Sequence, residues 1–73
     1  MNKYEKWYRE LIENRKINIP DVKYVEIHHI IPSCLGGNNS NENLITLTAR
    51  EHYIAHLLLT KIHPNNYSLK LAV

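Results

Sequence analysis

The chain has 73 residues and a mass of 8.6 kDa, room for one small domain and no second. At this size folding hides only about 60% of the surface of the unfolded chain, so a bound metal or a partner is a natural source of added stability. A hydrophobic fraction of 44% and a charged fraction of 22% are ordinary for a folded protein and argue against disorder. A net charge of +2 with a pI near 8.8 permits nucleic-acid binding without requiring it. The lone cysteine, Cys34, rules out an internal disulfide framework and favours a reducing compartment. The longest apolar run, Leu57-Leu58-Leu59, is far short of the ~20 residues that cross a bilayer. Met1-Asn2-Lys3-Tyr4-Glu5 lacks the apolar core of a secretory leader, so a cytoplasmic location without membrane contact is expected. Histidine is the compositional outlier, with five residues at positions 28, 29, 52, 56 and 63.

Residues 2–14 read as an amphipathic helix capped by Asn2, with Glu5 as its reciprocal partner. Tyr4, Trp7, Tyr8, Leu11 and Ile12 form one apolar stripe at helical spacing, expected to be core. Ile17 to Asp21 is expected to be extended, because Pro20 disfavours helix at the residue before it. Lys23 to Ile31, rich in valine, isoleucine and tyrosine, reads as a strand ended by Pro32. Ser33 to Glu42 is a loop dense in turn formers, with Gly36-Gly37 and Asn38-Asn39-Ser40-Asn41. Leu44-Ile45-Thr46-Leu47 is a second, short strand, expected to pair antiparallel with the first. Thr48-Ala49-Arg50-Glu51 is a capping box that starts a helix at Thr48, and Pro64 stops that helix after His63. On it, Ile54, Leu58 and Ile62 are expected to face the core, while His52, His56, Leu59 and His63 form a second stripe. Tyr67 to Val73 reads as the first turns of a further helix cut short, as in a truncated chain.

A strand pair packed on the second helix would bring His28-His29 to His52 and His56. Histidines at i and i+4 on a helix point the same way and can share one metal ion. The string His28-His29-Ile30-Ile31-Pro32, then Gly36-Gly37, Asn43-Leu44, His52 and His56, resembles the HNH endonucleases, also called ββα-metal or His-Me finger nucleases. Asn43 lies 14 residues after His29, and His52 lies 9 after Asn43, spacings that family uses. The run Leu47 to His52 with Ile54-Ala55-His56 is most similar to small phage-encoded members.

The resemblance implies an α+β fold, a ββα-metal finger in which a β-hairpin packs on a helix, here with an added N-terminal amphipathic helix. It implies one nuclease domain over residues 1–73: helix and linker at 1–21, the ββα-metal core at 22–64, and a C-terminal segment from 65. By the same resemblance the catalytic residues are His29, as general base, and Asn43, which braces the loop. The metal ligands are His28 and His52, with His56 as a further one. Many relatives carry a basic residue directly after the proline, where this chain has Ser33-Cys34. Phosphate anchoring then falls to Arg50, Lys61, Lys23 or the Arg15-Lys16 pair. The implied cofactor is a divalent metal ion, magnesium or manganese, with zinc, nickel or cobalt suited to histidine donors. The implied partner is DNA, with weak sequence preference, and two cuts by a one-site domain would be easiest for a homodimer.

The chemistry explains the residue types. An imidazole of ordinary pKa, about 6.5, is largely neutral at pH 7 and can take a proton from water within hydrogen-bond reach. A divalent cation held by a few protein ligands keeps positions open for phosphate oxygens and offsets their charge. Adjacent strand residues face opposite ways, yet in-line displacement sets nucleophile and leaving oxygen on opposite sides of phosphorus. His28 and His29 can therefore flank one phosphate. Two other readings stay open. A non-catalytic module would use Cys34 as a fourth zinc ligand beside His28, His52 and His56 and leave His29 without a task. A truncated chain could also be an inactive nuclease remnant. His63, beside Pro64, reads as a helix-end residue favoured by the dipole.

Overall fold

The computed structural model describes residues 2–71. Helix α1 spans Lys3–Ile17. Its start is the expected capping box: Asn2 Oδ1 accepts from Glu5 N at 2.9 Å and Glu5 Oε1 accepts from Asn2 N at 3.3 Å. The helix runs three residues beyond the expected end at Asn14. Its last turn is tied down by Arg15, whose guanidinium pairs with Glu51 of the following helix and also donates to Asn18 O at 3.1 Å. The apolar stripe is only partly core. Ile12 is buried and Tyr8 and Leu11 pack beside it, but Trp7 is half exposed and stands edge-on to Tyr4 beneath the Lys3 ammonium.

Strand β1 is Glu26–His29 and strand β2 is Leu44–Leu47, a two-stranded antiparallel sheet. Their register pairs Glu26 with Leu47, Ile27 with Thr46, His28 with Ile45 and His29 with Leu44. The first strand is thus much shorter than the Lys23 to Ile31 run, because β2 offers only four partners and a strand residue without a partner has no ladder to join. Tyr24 and Val25 accordingly stay exposed. Two 3₁₀ turns, Ser33–Leu35 and Asn41–Asn43, lie in the connecting loop.

Helix α2 spans Ala49–Ile62. Thr48 Oγ1 accepts from Glu51 N at 3.1 Å and Glu51 Oε1 accepts from Thr48 N at 3.0 Å, so the second capping box also forms as expected. Glu51 therefore serves both the cap and Arg15, which joins the last turn of α1 to the first turn of α2. Burial alone would raise its pKa, but those hydrogen bonds and the Arg15 charge outweigh it and hold the carboxyl below its ordinary value.

The face of α2 that meets the rest of the protein differs from the expected one. Ala55 and Leu59 are the buried residues, whereas Ile54 is exposed and Leu58 and Ile62 are half buried. The helix is rotated so that the stripe carrying His52, His56 and Leu59 looks inward, and Ala55, a side chain small enough for close approach, sits at the contact. The core is Ile12, Ile45, Leu47 and Ala55, with Tyr8, Leu11 and Ile30 around it. The last described element is α3, Tyr67–Leu71, which buries Leu69. Ala72 and Val73, the last residues of the expected C-terminal turns, lie outside the described residues.

Candidate metal centre

The alternation of β1 decides what faces α2. Glu26 and His28 share one face and Ile27 and His29 the other; His28 is almost fully buried, with 2% of its surface exposed, while Ile27 is open to solvent. On α2, His52 and His56 stand one turn apart on the inward stripe. The three rings of His28, His52 and His56 meet at centroid separations of 5.1, 5.6 and 4.8 Å. Each offers a nitrogen, and these atoms lie within 4.8 Å of one another. Such a group can hold a metal ion.

Outer partners fix which nitrogens are available. Tyr8 Oη lies 2.7 Å from His28 Nε2 and 2.6 Å from Ile30 O. A carbonyl oxygen only accepts, so the single hydroxyl proton goes to Ile30 O and the hydroxyl oxygen accepts from His28 Nε2–H. His28 Nδ1 is then the lone-pair nitrogen. His52 Nδ1 lies 2.7 Å from Glu26 Oε1, and that carboxylate is held below its ordinary pKa first by the hydrogen bond from Tyr24 and then by the one from His52. The carboxylate accepts, so His52 donates from Nδ1, and in the neutral ring that a metal ion binds Nε2 carries the lone pair. His56 Nδ1 is buried and has no hydrogen-bond partner. A buried polar atom without a partner is costly, and a metal ion at the three-ring group is the kind of partner that would satisfy it. An oxygen acceptor on the far nitrogen, a carboxylate above all, is what metal-ligating histidines commonly have.

The electrostatics agree. Burial, and then the neighbouring imidazoles, push His28 down to about 3, so it stays neutral at working pH. Burial, and then His52, lower His56 as well. Neutral imidazole is the form a metal ion binds.

A cavity of about 330 Å³ opens onto this group, lined by His28, His52 and His56 and also by His29, Ser33 and Cys34. His29 stands on the opposite face of β1 from His28 yet reaches the same cavity, where the chain turns after the strand. Its Nε2 lies 2.7 Å from Asn39 Oδ1. Asn43 is buried away from the rings: its side chain accepts from Ile31 N at 2.7 Å and donates to Ile31 O at 3.0 Å and Asn38 O at 2.8 Å. It therefore clips the loop to the strand's end. Cys34 lines the cavity rim, exposed, and is outside the three-residue group.

The cationic candidates are dispersed. Lys23, Arg50 and Lys61 are all exposed, and none lines the cavity. Arg50 and Lys61 lie at opposite ends of α2, about 16 Å apart along the axis at 1.5 Å per residue. Arg15 is committed to Glu51, and Lys16 pairs with Glu13 at 3.2 Å. His63 closes α2, its N–H donating to Leu59 O at 2.8 Å.

Sequence reasoning missed Tyr8, Glu26 and Asn39. Tyr8 was indistinguishable from a core aromatic. Glu26 carried a legible signal, since it lies two residues before His28 and must share its face of the strand.

A β-hairpin presenting one histidine to two histidines of the following helix is a ββα-metal finger, with an extra N-terminal helix in this case. The chain is homologous to proteins of Enterobacteria phage T4: it is 52% identical over 61 residues to "Probable mobile endonuclease E" and 53% identical over 70 residues to "Probable mobile endonuclease D". The alignments take in 84% and 90% of this chain but 43% and 27% of those two relatives, so the chain spans less than half the length of either. "Probable mobile endonuclease B" of the same phage is 58% identical over 40 residues, 55% of this chain and 15% of that protein. No protein-family profile matches the chain, and no solved structure matches it significantly. No helix among the described residues is long and apolar enough to cross a membrane.

Proposed function

We propose that the chain is a metal-dependent DNA endonuclease domain of the HNH type that hydrolyses phosphodiester bonds, acting in the cytoplasm of a phage-infected cell. The observation that carries this reading is that His29 lines one cavity with three imidazoles that each bring a nitrogen within 4.8 Å of the others. The T4 relatives, named as mobile endonucleases, support the same activity.

His28, His52 and His56 would hold the ion, with Tyr8 and Glu26 orienting the first two. When bound, the ion supplies positive charge next to the phosphoryl oxygens as negative charge develops there. Three imidazoles suit zinc, nickel or cobalt, while magnesium and manganese prefer the oxygen donors that substrate phosphates bring. His29 takes the proton of the attacking water. Its Nε2 proton is held by Asn39 Oδ1, so the acceptor is Nδ1. Asn43 keeps the strand end and loop in register so that the base and the three ligands stay on one cavity. Arg50 and Lys61, at opposite ends of α2, would contact different phosphates along the duplex, with Lys23 as a further contact.

The test is nicking of supercoiled plasmid with manganese, magnesium, nickel or zinc, with and without a chelator. Cleavage should require the added ion. His29→Ala should reduce the rate ~10² to 10⁴-fold while calorimetric metal affinity stays unchanged; His52→Ala should lose both. A His29→Ala protein that nicks at the parent rate would overturn the assignment of the base. Loss of metal binding in Cys34→Ser would favour a structural zinc site instead.

A further inference from the structure

We propose that Asn39 is a positioning residue for His29: its side-chain oxygen fixes the ring's tautomer and orientation, leaving Nδ1 as the proton acceptor. The proposal rests on the reading of His29 as general base.

The chemistry of the contact is directional. An amide oxygen can only accept, so at 2.7 Å the proton lies on His29 Nε2. A neutral imidazole carries one ring proton, and Nδ1 is therefore bare. Without this partner both tautomers would be populated and the ring would turn about its broad second side-chain torsion, so only part of the population would present an acceptor in the productive place.

The loop is constructed to hold Asn39 there. On one side, Gly37 N donates to Pro32 O at 3.0 Å, and Gly37 lies so close to the chain after β1 that a Cβ would fall 1.7 Å from Ile31 O. Next to Asn39, the Asn38 carbonyl is held by the buried Asn43 amide at 2.8 Å. On the other side, Asn38 Oδ1 accepts from Ser40 N at 3.0 Å and Ser40 Oγ at 2.7 Å, closing a tight turn around residue 39. The segment that carries Asn39 is thus pinned to Ile31 and Pro32, just after His29, which holds the two side chains opposite each other. Asn43 and Gly37 set the loop, and Asn39 transmits its position to the base.

The experiment measures Asn39→Leu, Asn39→Asp, His29→Ala and the double variant His29→Ala/Asn39→Leu in the full chain. Cleavage is read as kcat and KM separately on duplex DNA, metal affinity by calorimetry, and the His29 tautomer by long-range ¹H–¹⁵N correlation spectra. Asn39→Leu should lower kcat roughly 10- to 100-fold, by analogy with the cost of removing an outer partner of a metal-ligating imidazole. KM and metal affinity should stay within about twofold, and the spectrum should change from the Nε2-protonated form to a mixture of tautomers. Asn39→Asp keeps an acceptor at the same place and should recover most of kcat. The double variant should be no slower than His29→Ala alone, since a residue acting through the base has no effect once the base is gone. Parent-like kcat and an unchanged tautomer in Asn39→Leu overturn the proposal, as does a loss that appears only in KM or that adds to His29→Ala. If His29→Ala cleaves at the parent rate, the general-base reading fails and this proposal with it; if His29→Ala is impaired and Asn39→Leu is not, this proposal fails alone.

Discussion

Replacing Tyr8 with phenylalanine removes one oxygen that serves two partners. In the parent protein that oxygen accepts from His28 Nε2–H at 2.7 Å and donates to Ile30 O at 2.6 Å. Burial raises the Tyr8 pKa well above the ordinary tyrosine value, so the hydroxyl keeps its proton throughout the working range. The ring itself, packed against the core, would stay in place in Tyr8→Phe. The variant leaves a nearly fully buried N–H and a half-buried carbonyl without partners. Unsatisfied buried groups cost ~1–3 kcal/mol each, and with one of the two only half buried the sum is roughly 2–4 kcal/mol. A chain of this length has a total stability of roughly 4 to 11 kcal/mol, so the loss is a large share of it. Thermal unfolding of the metal-free protein should show a fall of at least about 8 °C in Tm. The second consequence is chemical. His28 is no longer held in the tautomer that frees Nδ1, and metal affinity should weaken ~10- to 100-fold by calorimetry. The matching control is Tyr53→Phe on the exposed side of α2, where a change within about 0.5 kcal/mol is expected. A Tyr8→Phe protein as stable as Tyr53→Phe, with parent metal affinity, would refute the argument that this hydroxyl couples α1 to the histidine group.

Three other perturbations separate the roles of the site. His56→Leu removes a buried nitrogen that has no partner, so without metal the variant should be as stable as the parent or more so, while calorimetry should show weaker metal binding; marked destabilisation of the metal-free form would show that the nitrogen has a partner after all. In the presence of a chelator, stability should fall as pH drops from about 6.5 toward 3. His28 is held down to about 3 when folded and titrates near its ordinary value when unfolded, so across that window the unfolded chain binds the extra proton. The slope, measured by urea unfolding at several pH values, should approach ~1.4 kcal/mol per pH unit for this one residue and vanish above the window. Gly37→Ala forces a Cβ into Ile31 O, and relief requires the loop to leave the strand end. Circular dichroism melting should show a loss above ~2 kcal/mol, whereas Gly36→Ala, with open space but a φ of 92°, should cost ~1–2 kcal/mol from backbone strain alone.

Much of this arrangement can be read along the chain, because it depends on interactions within one or two turns. Asn2 with Glu5 and Thr48 with Glu51 cap helices by bonds between residues three apart. His52 and His56 share a helix face because four residues make about one turn, and Glu26 and His28 share a strand face because side chains alternate. Pairing of the two strands follows from two short apolar runs around a loop of turn formers. From these local facts the hairpin, the helix and the histidine group are all expected.

The rotation of α2 is a different kind of fact. Each residue on a helix is offset by about 100° from the last, so the apolar stripe of Ile54, Leu58 and Ile62 and the stripe of His52, His56 and Leu59 are both plausible inward faces from sequence alone. Packing of α1 and the hairpin selected the one with Ala55 and Leu59 buried and Ile54 exposed. The same selection turned Tyr8 from a core aromatic into the partner of a histidine 20 residues away, and brought Glu26 to a helix 26 residues away. Trp7, on the same sequence stripe as Tyr8, was left half exposed. Asn39 stood among several turn-forming residues with nothing to distinguish it until the loop folded back on the end of β1. The order of the elements, the two helix caps and the histidines' local faces are legible along the chain, since backbone periodicity and short-range hydrogen bonds set them, while the length of β1 waited on its partner strand. Which nitrogen of His28, His29 and His52 is left free is set by tertiary packing, because in each ring it depends on a single oxygen brought within 3 Å by segments that meet only in the folded protein.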